Sequence, residues 1–229
     1  MGALILLIGA GTATYAIVDS NRDIPNHGAY GPVMWREQPV DKVFPKTLAP
    51  RENQKPATDP KRAQWRRVAI SEQTSCQRAV QFRTLKTAEN AGCKGALRAT
   101  YVDPTGKVVG TVAVLAFPKS GRSDMLDYVE RLDDKNVYPA VRAVHAPHSV
   151  APGWNDAHRN AGKARMTTET DLPYAIMSVT GASDGRVAGK LPGKVASGNS
   201  SDHGPYEGAA QSLDDALDSH LSDLLMGDA

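Results

Sequence analysis

The sequence predicts an α+β domain, a mostly antiparallel sheet with two helices on one face, preceded by an N-terminal transmembrane or signal-anchor helix. Three observations carry this. Alternating, Val-rich runs flank Asp103-Pro104-Thr105-Gly106, a turn with proline at its second position and glycine at its last. Two segments, near 83–91 and 123–132, space their apolar residues as helices do. Strands joined by turns this short cannot be parallel neighbours, so the sheet between them is mostly antiparallel.

The chain has 229 residues, enough for one or two domains. Its 27 basic and 25 acidic residues leave a net charge of +2, which gives no basic face for nucleic acid. Aromatics make up only 6%, so a large aromatic-lined pocket is not expected, and no cofactor is read from the sequence.

Residues Ala3 to Val18 carry no charge. As a helix they span about 24 Å against a hydrocarbon core of about 30 Å. Residues 1–18 therefore read as a membrane anchor or uncleaved signal. A cleaved signal peptide and a buried core helix are the alternatives. No Lys or Arg precedes the run, which predicts a basic segment upstream.

Residues 19–63 read as a stalk with seven of the fifteen prolines, Pro25 to Pro60. Proline removes backbone donors, so regular helix or central strand is not expected there. Val33, Met34, Trp35, Val40, Val43, Phe44 and Leu48 recur through it, and such anchors predict an extended segment lying on a folded surface, either its own domain or a groove of another protein.

The globular domain is placed at 64–181. Trp65 to Ser71 reads as a first strand, and a helix near 83–91 ends before Gly92, which suits a left-handed cap. Ala96 to Asp103 alternates, with Leu97, Ala99 and Tyr101 on one side and Arg98 and Thr100 on the other. Lys107 to Phe117 returns as the partner strand. Ser123 caps a helix to about Leu132 with Met125, Leu126, Tyr128 and Val129 in its stripe. A loop covers roughly 133–162, and strands at 163–169 and 174–181 close the domain.

A Gly- and Ser-rich linker, 182–211, leads to an acidic amphipathic helix at 212–226. Leu213, Leu217, Leu221 and Leu224 share one face, with Asp214, Asp215, Asp218 and Asp223 on the other. A helix of about 14 residues is marginal alone in water. Its leucine face either docks on the domain or contacts a partner protein, and these four leucines are the candidate partner-binding residues.

The two cysteines, Cys76 and Cys93, form a disulfide if the domain is exported and are free buried thiols if it is not. A straight helix between them would hold them more than about 20 Å apart. A disulfide therefore needs Cys76 to end an extended segment and the chain to turn back. Phosphate-cradling, zinc-helix and serine-elbow motifs are absent. His145, His148 and His158 fall within fourteen residues, with Asp156 among them. They form a candidate metal set of ordinary ligand chemistry.

Three stretches carry a resemblance: Gly31-Pro-Val-Met-Trp-Arg36 to Val43-Phe-Pro45, Gly92-Cys-Lys-Gly-Ala-Leu-Arg-Ala-Thr-Tyr-Val-Asp103, and Gly153-Trp-Asn-Asp-Ala-His-Arg159. Over roughly 30–180 the chain resembles a group of uncharacterised, membrane-anchored exported proteins of actinobacteria. The resemblance implies a location and no catalytic residues. His145, His148, the second linker and the acidic helix lie outside it. The expected protein is therefore non-enzymatic and single-pass in the cytoplasmic membrane, with its domain extracytoplasmic. It binds an envelope protein or membrane complex as an accessory or sensor. The alternative is an exported metal-binding protein or metal-dependent enzyme using the histidines.

Overall fold

The computed structural model describes residues 26–134, 138–188 and 203–227. The expected anchor, 1–18, and residues 189–202 of the second linker lie outside them. Among the described residues no helix is long and apolar enough to cross a membrane.

The domain is α+β. Six strands, β1 (Thr47–Leu48), β2 (Trp65–Ile70), β3 (Gly95–Val102), β4 (Val108–Ala116), β5 (Ala161–Met166) and β6 (Tyr174–Ala182), form one sheet in the order β1-β2-β3-β4-β6-β5. Every adjacent pair is antiparallel. The β3–β4 hairpin closes as its sequence requires. Gly106 adopts φ +68°, and its N–H donates to the Asp103 carbonyl at 2.9 Å. The Asp103 carboxylate accepts from the backbone N–H groups of Lys107 and Val108, each at 2.9 Å, and pairs with Arg62 at 2.9 Å.

Among the described residues seven α-helical segments accompany the sheet. Four are single turns, α1 (His27–Tyr30), α2 (Met34–Glu37), α3 (Val40–Val43) and α4 (Cys76–Ala79). The longer three are α5 (Phe82–Asn90), α6 (Arg122–Asp134) and α7 (Gly204–Met226). The residues after 26 lie on the domain as expected, but in helical turns rather than extended. Their prolines sit where no donor is missed: Pro32 starts a 3-10 turn, Pro39 caps α3 and Pro60 opens another turn. Met34, Val43, Phe44 and Leu48 are buried.

Both faces of the sheet are covered. Leu97, Ala99 and Tyr101 of β3 face one apolar cluster, completed by the 34–48 segment and α7. The opposite face packs α5, α6 and the loop before β5 around Ala113, Leu115 and Met177. The two expected helices share this second face, and α7 adds a third on the first. Arg98 and Thr100 point to the second face as the alternation requires, yet both are buried there. Thr100 donates to the Val144 carbonyl at 2.8 Å, and Thr111 accepts from the Trp154 indole at 2.8 Å. These bonds lay the long loop on the sheet.

Helix α7 begins eight residues before the expected start at Ser212. Ser178 and Thr180 of β6 donate to the carbonyls of Ala210 and Tyr206, at 3.0 and 2.7 Å, which fixes that early segment. Its acidic side is not simply solvated: Asp214 and Asp218 are buried. Asp218 accepts from the Thr168 N–H at 3.0 Å and pairs with Arg165 at 2.9 Å. Arg165 also pairs with Asp215.

Candidate functional site

Cys76 and Cys93 form a disulfide, with Cα atoms 6.5 Å apart. The reversal that allows this differs in detail from the sequence expectation. Cys76 does not end an extended segment; it opens α4. Val80 then bridges to Val141, and the Gln81 N–H donates to the Ala140 carbonyl at 3.0 Å. This short extended step lies between two helices, so the chain folds back instead of running straight. Gly92, at φ +76°, completes the return.

The step ends at Phe82, which has φ +53° and is 76% exposed. Left-handed backbone at a bulky residue is an outlier, costing about 1–2 kcal/mol. Among the described residues Phe82 is the one non-glycine with positive φ. The sequence places the helix near 83–91 and assigns Phe82 no face. The left-handed turn sends it outward.

Phe82 borders a pocket of about 220 Å³, lined also by Arg83, Thr84, Tyr128, Leu132 and Tyr138. Thr84 and Tyr128 share a buried hydrogen bond of 2.8 Å, and Thr84 accepts from the Ala140 N–H at 3.0 Å. These bonds hold α5, α6 and the loop in fixed relation. Burial raises the Tyr128 phenol above its ordinary value, against the lowering effects of Thr84 and Arg83. Tyr138 donates to the Glu207 carboxylate at 2.6 Å, and burial, then Glu207, raises its phenol. Arg83 and Arg131 stand at the rim. The pocket is therefore tied by hydrogen bonds across its wall, largely apolar and edged by positive charge. Such a site accepts an apolar side chain with an acidic neighbour.

The four leucines of the C-terminal helix lie elsewhere. Leu213, Leu217 and Leu221 are fully buried in the first cluster, and Leu224 packs against it. Their face is filled within this chain, so they are core residues and not a contact surface for a partner. Sheet burial takes the surface that a second protein would have used.

The histidines are not gathered into a metal site. Among the described residues no three His, Cys, Asp or Glu side chains converge to hold a metal. His145 Nδ1 lies 3.3 Å from the Trp154 carbonyl, His158 Nδ1 donates to the Gly153 carbonyl at 2.8 Å, and His148 is exposed. Asp156 accepts from the Ala143 N–H at 2.7 Å. Turns in the loop direct these side chains to separate local partners.

No family model, no curated protein and no solved structure matches the chain.

Proposed function

We propose that this chain is a membrane-anchored, extracytoplasmic binding protein that contacts another protein of the cell envelope through Phe82 and its pocket. The observation that carries the reading is Phe82 itself, a large aromatic kept in solvent by a backbone conformation that costs folding free energy. Such outliers concentrate at functional positions, and exposed aromatics anchor interfaces. The partner's contacting segment has an apolar tip and acidic flanks, because Arg83 and Arg131 make no ion pair among the described residues. The Cys76–Cys93 disulfide supports export, since such bonds persist in oxidising compartments. The apolar run 3–18 supplies the anchor, and the resemblance to exported, anchored proteins of actinobacteria agrees with both.

Two experiments test the reading. Intact cells treated with a membrane-impermeant thiol reagent should label Cys76 and Cys93 only after reduction. Labelling that needs lysis but no reduction puts the domain in the cytoplasm and ends the proposal. A photo-crosslinking residue at position 82 should give a discrete adduct that disappears in an Arg83→Glu, Arg131→Glu background. An equal adduct from exposed Val150, or one indifferent to the charge reversal, removes Phe82 as the contact.

A further inference from the structure

A second cavity, of about 560 Å³, opens beside α4, bounded by Gln73, Gln77, Arg78, Arg98, Arg142 and Asp156. Arg98 is 4% exposed. Its Nη1 donates to the Arg142 carbonyl at 2.8 Å and its Nη2 to Ser71 Oγ at 3.0 Å. The Nε–H groups of Arg98 and Arg142 are both buried and without an acceptor. None of Arg78, Arg98 and Arg142 forms an ion pair among the described residues. Buried polar groups are normally satisfied, and a buried charge without a counter-charge is costly. A buried guanidinium, Arg98, and a half-buried one, Arg142, each with an unsatisfied Nε–H, share one cavity wall and mark a place where an acceptor belongs.

The charges around the cavity specify that acceptor. Asp156 is the one carboxylate in the lining. It is already engaged by the Ala143 N–H and lies 3.8 Å from the Arg159 guanidinium. Three guanidiniums against one shared carboxylate leave about two positive charges in excess. Burial pushes the Arg98 guanidinium down to about 10, opposed by Asp156 and assisted by Arg142. It stays charged at neutral pH, so the excess is real under working conditions.

We propose that this cavity binds a phosphate group. A phosphate carries between one and two negative charges near neutral pH and presents three acceptor oxygens. Guanidinium forks match those oxygens in pairs. The Gln73 amide adds a neutral donor, the Gln77 amide being engaged by the Glu89 carboxylate at 2.9 Å, and Asp156 accepts the proton of a phosphate hydroxyl. A lone carboxylate would leave one guanidinium uncompensated. The phosphate is free in solution or carried on a lipid headgroup, and the chemistry of capture is the same. The site is independent of the Phe82 contact.

The test uses the full chain in neutral detergent micelles. One arm adds inorganic phosphate against chloride at equal ionic strength. The other dopes the micelles with phosphatidate at equal total phosphate. The thermal midpoint should rise in at least one arm, and Arg142→Gln should weaken the apparent affinity about tenfold, the loss of one charge-assisted bond. Arg78 is exposed, so Arg78→Gln keeps the fold and should weaken binding in the same direction. A rise with inorganic phosphate identifies the phosphate itself as sufficient. A rise confined to phosphatidate, and lost in the variants, identifies a lipid headgroup. No rise in either arm, or a rise unchanged in both variants, overturns the proposal.

Discussion

The indole of Trp35 occupies the space where a side chain on Gly95 would begin: a Cβ there would stand 2.3 Å from ring carbon Cη2. This contact seats the N-terminal turns on the first residue of β3. The Trp35 N–H also donates to the Tyr174 hydroxyl at 3.1 Å, across 139 residues of sequence. Gly95→Ala should displace the ring and cost about 1–3 kcal/mol, the usual range for overpacking. Trp65 and Trp154 are buried, so a red shift in tryptophan emission would report Trp35. In a Trp35→Ala background the same substitution should cost little, and a double-mutant cycle in denaturant checks this.

Asp214 sits on α7, buried, with neither carboxylate oxygen hydrogen-bonded. Burial holds its carboxyl well above the usual carboxylate range. Ser178 and Arg165 oppose this, while Asp215 and Asp218 add to it. A raised folded-state value stabilises fully below the unfolded value of about 3.9, and that contribution is lost as pH rises through the folded value. Urea midpoints from pH 4 upward should therefore fall more steeply in the wild type than in Asp214→Asn. Parallel profiles would show that Asp214 is not the group titrating.

Reducing the Cys76–Cys93 bond should lower stability by roughly 3 kcal/mol in the chain-entropy account of a loop this size. Cys76→Ser with Cys93→Ser should reproduce the loss without reductant. Thermal melts with and without dithiothreitol measure it, and the double variant should be insensitive to the reagent.

Phe82→Gly relieves the left-handed backbone and should raise stability by roughly 0.5–1 kcal/mol, the strain released less the flexibility gained. The same change should abolish the partner contact. A midpoint that falls would mean that Phe82 contributes packing that outweighs its strain.

Leu217 is fully buried against the sheet. Leu217→Ala should cost about 2–5 kcal/mol, read from the denaturant midpoint. A leucine kept free for a second protein would cost far less.

Much of the fold was legible because local signals and packing agreed. Alternation in 96–117, the Asp103–Gly106 turn and the stripe through Met125 and Val129 each matched an element to within a few residues. The C-terminal helix was read as an acidic amphipathic helix from 212, whereas it starts at Gly204 and buries Asp214 and Asp218 as well as its leucines; its destination was not fixed by its own residues. Leucines at helical spacing look the same whether a sheet or a stranger covers them. Arg98 was readable as a residue of the opposite face, and its burial was not, because the covering loop is non-local. Phe82 was not singled out in the sequence, since it stands just before the expected helix start at 83. Its outward turn depends on the bridge from Val80 to Val141, a contact 61 residues away that no local pattern announces.

The position of α7 has a consequence for timing. This helix, 204–226, covers the first face of β4, β5 and β6, strands that are made before it. Until it emerges, the leucine-lined half of the core has no lid, and Val112, Ile176 and their neighbours face water. The first face is thus completed by a helix made after all six strands. If the chain is exported as proposed, it crosses the membrane before its core can close. A nascent chain halted before residue 204 offers a proteolytic surveillance system an open sheet to recognise.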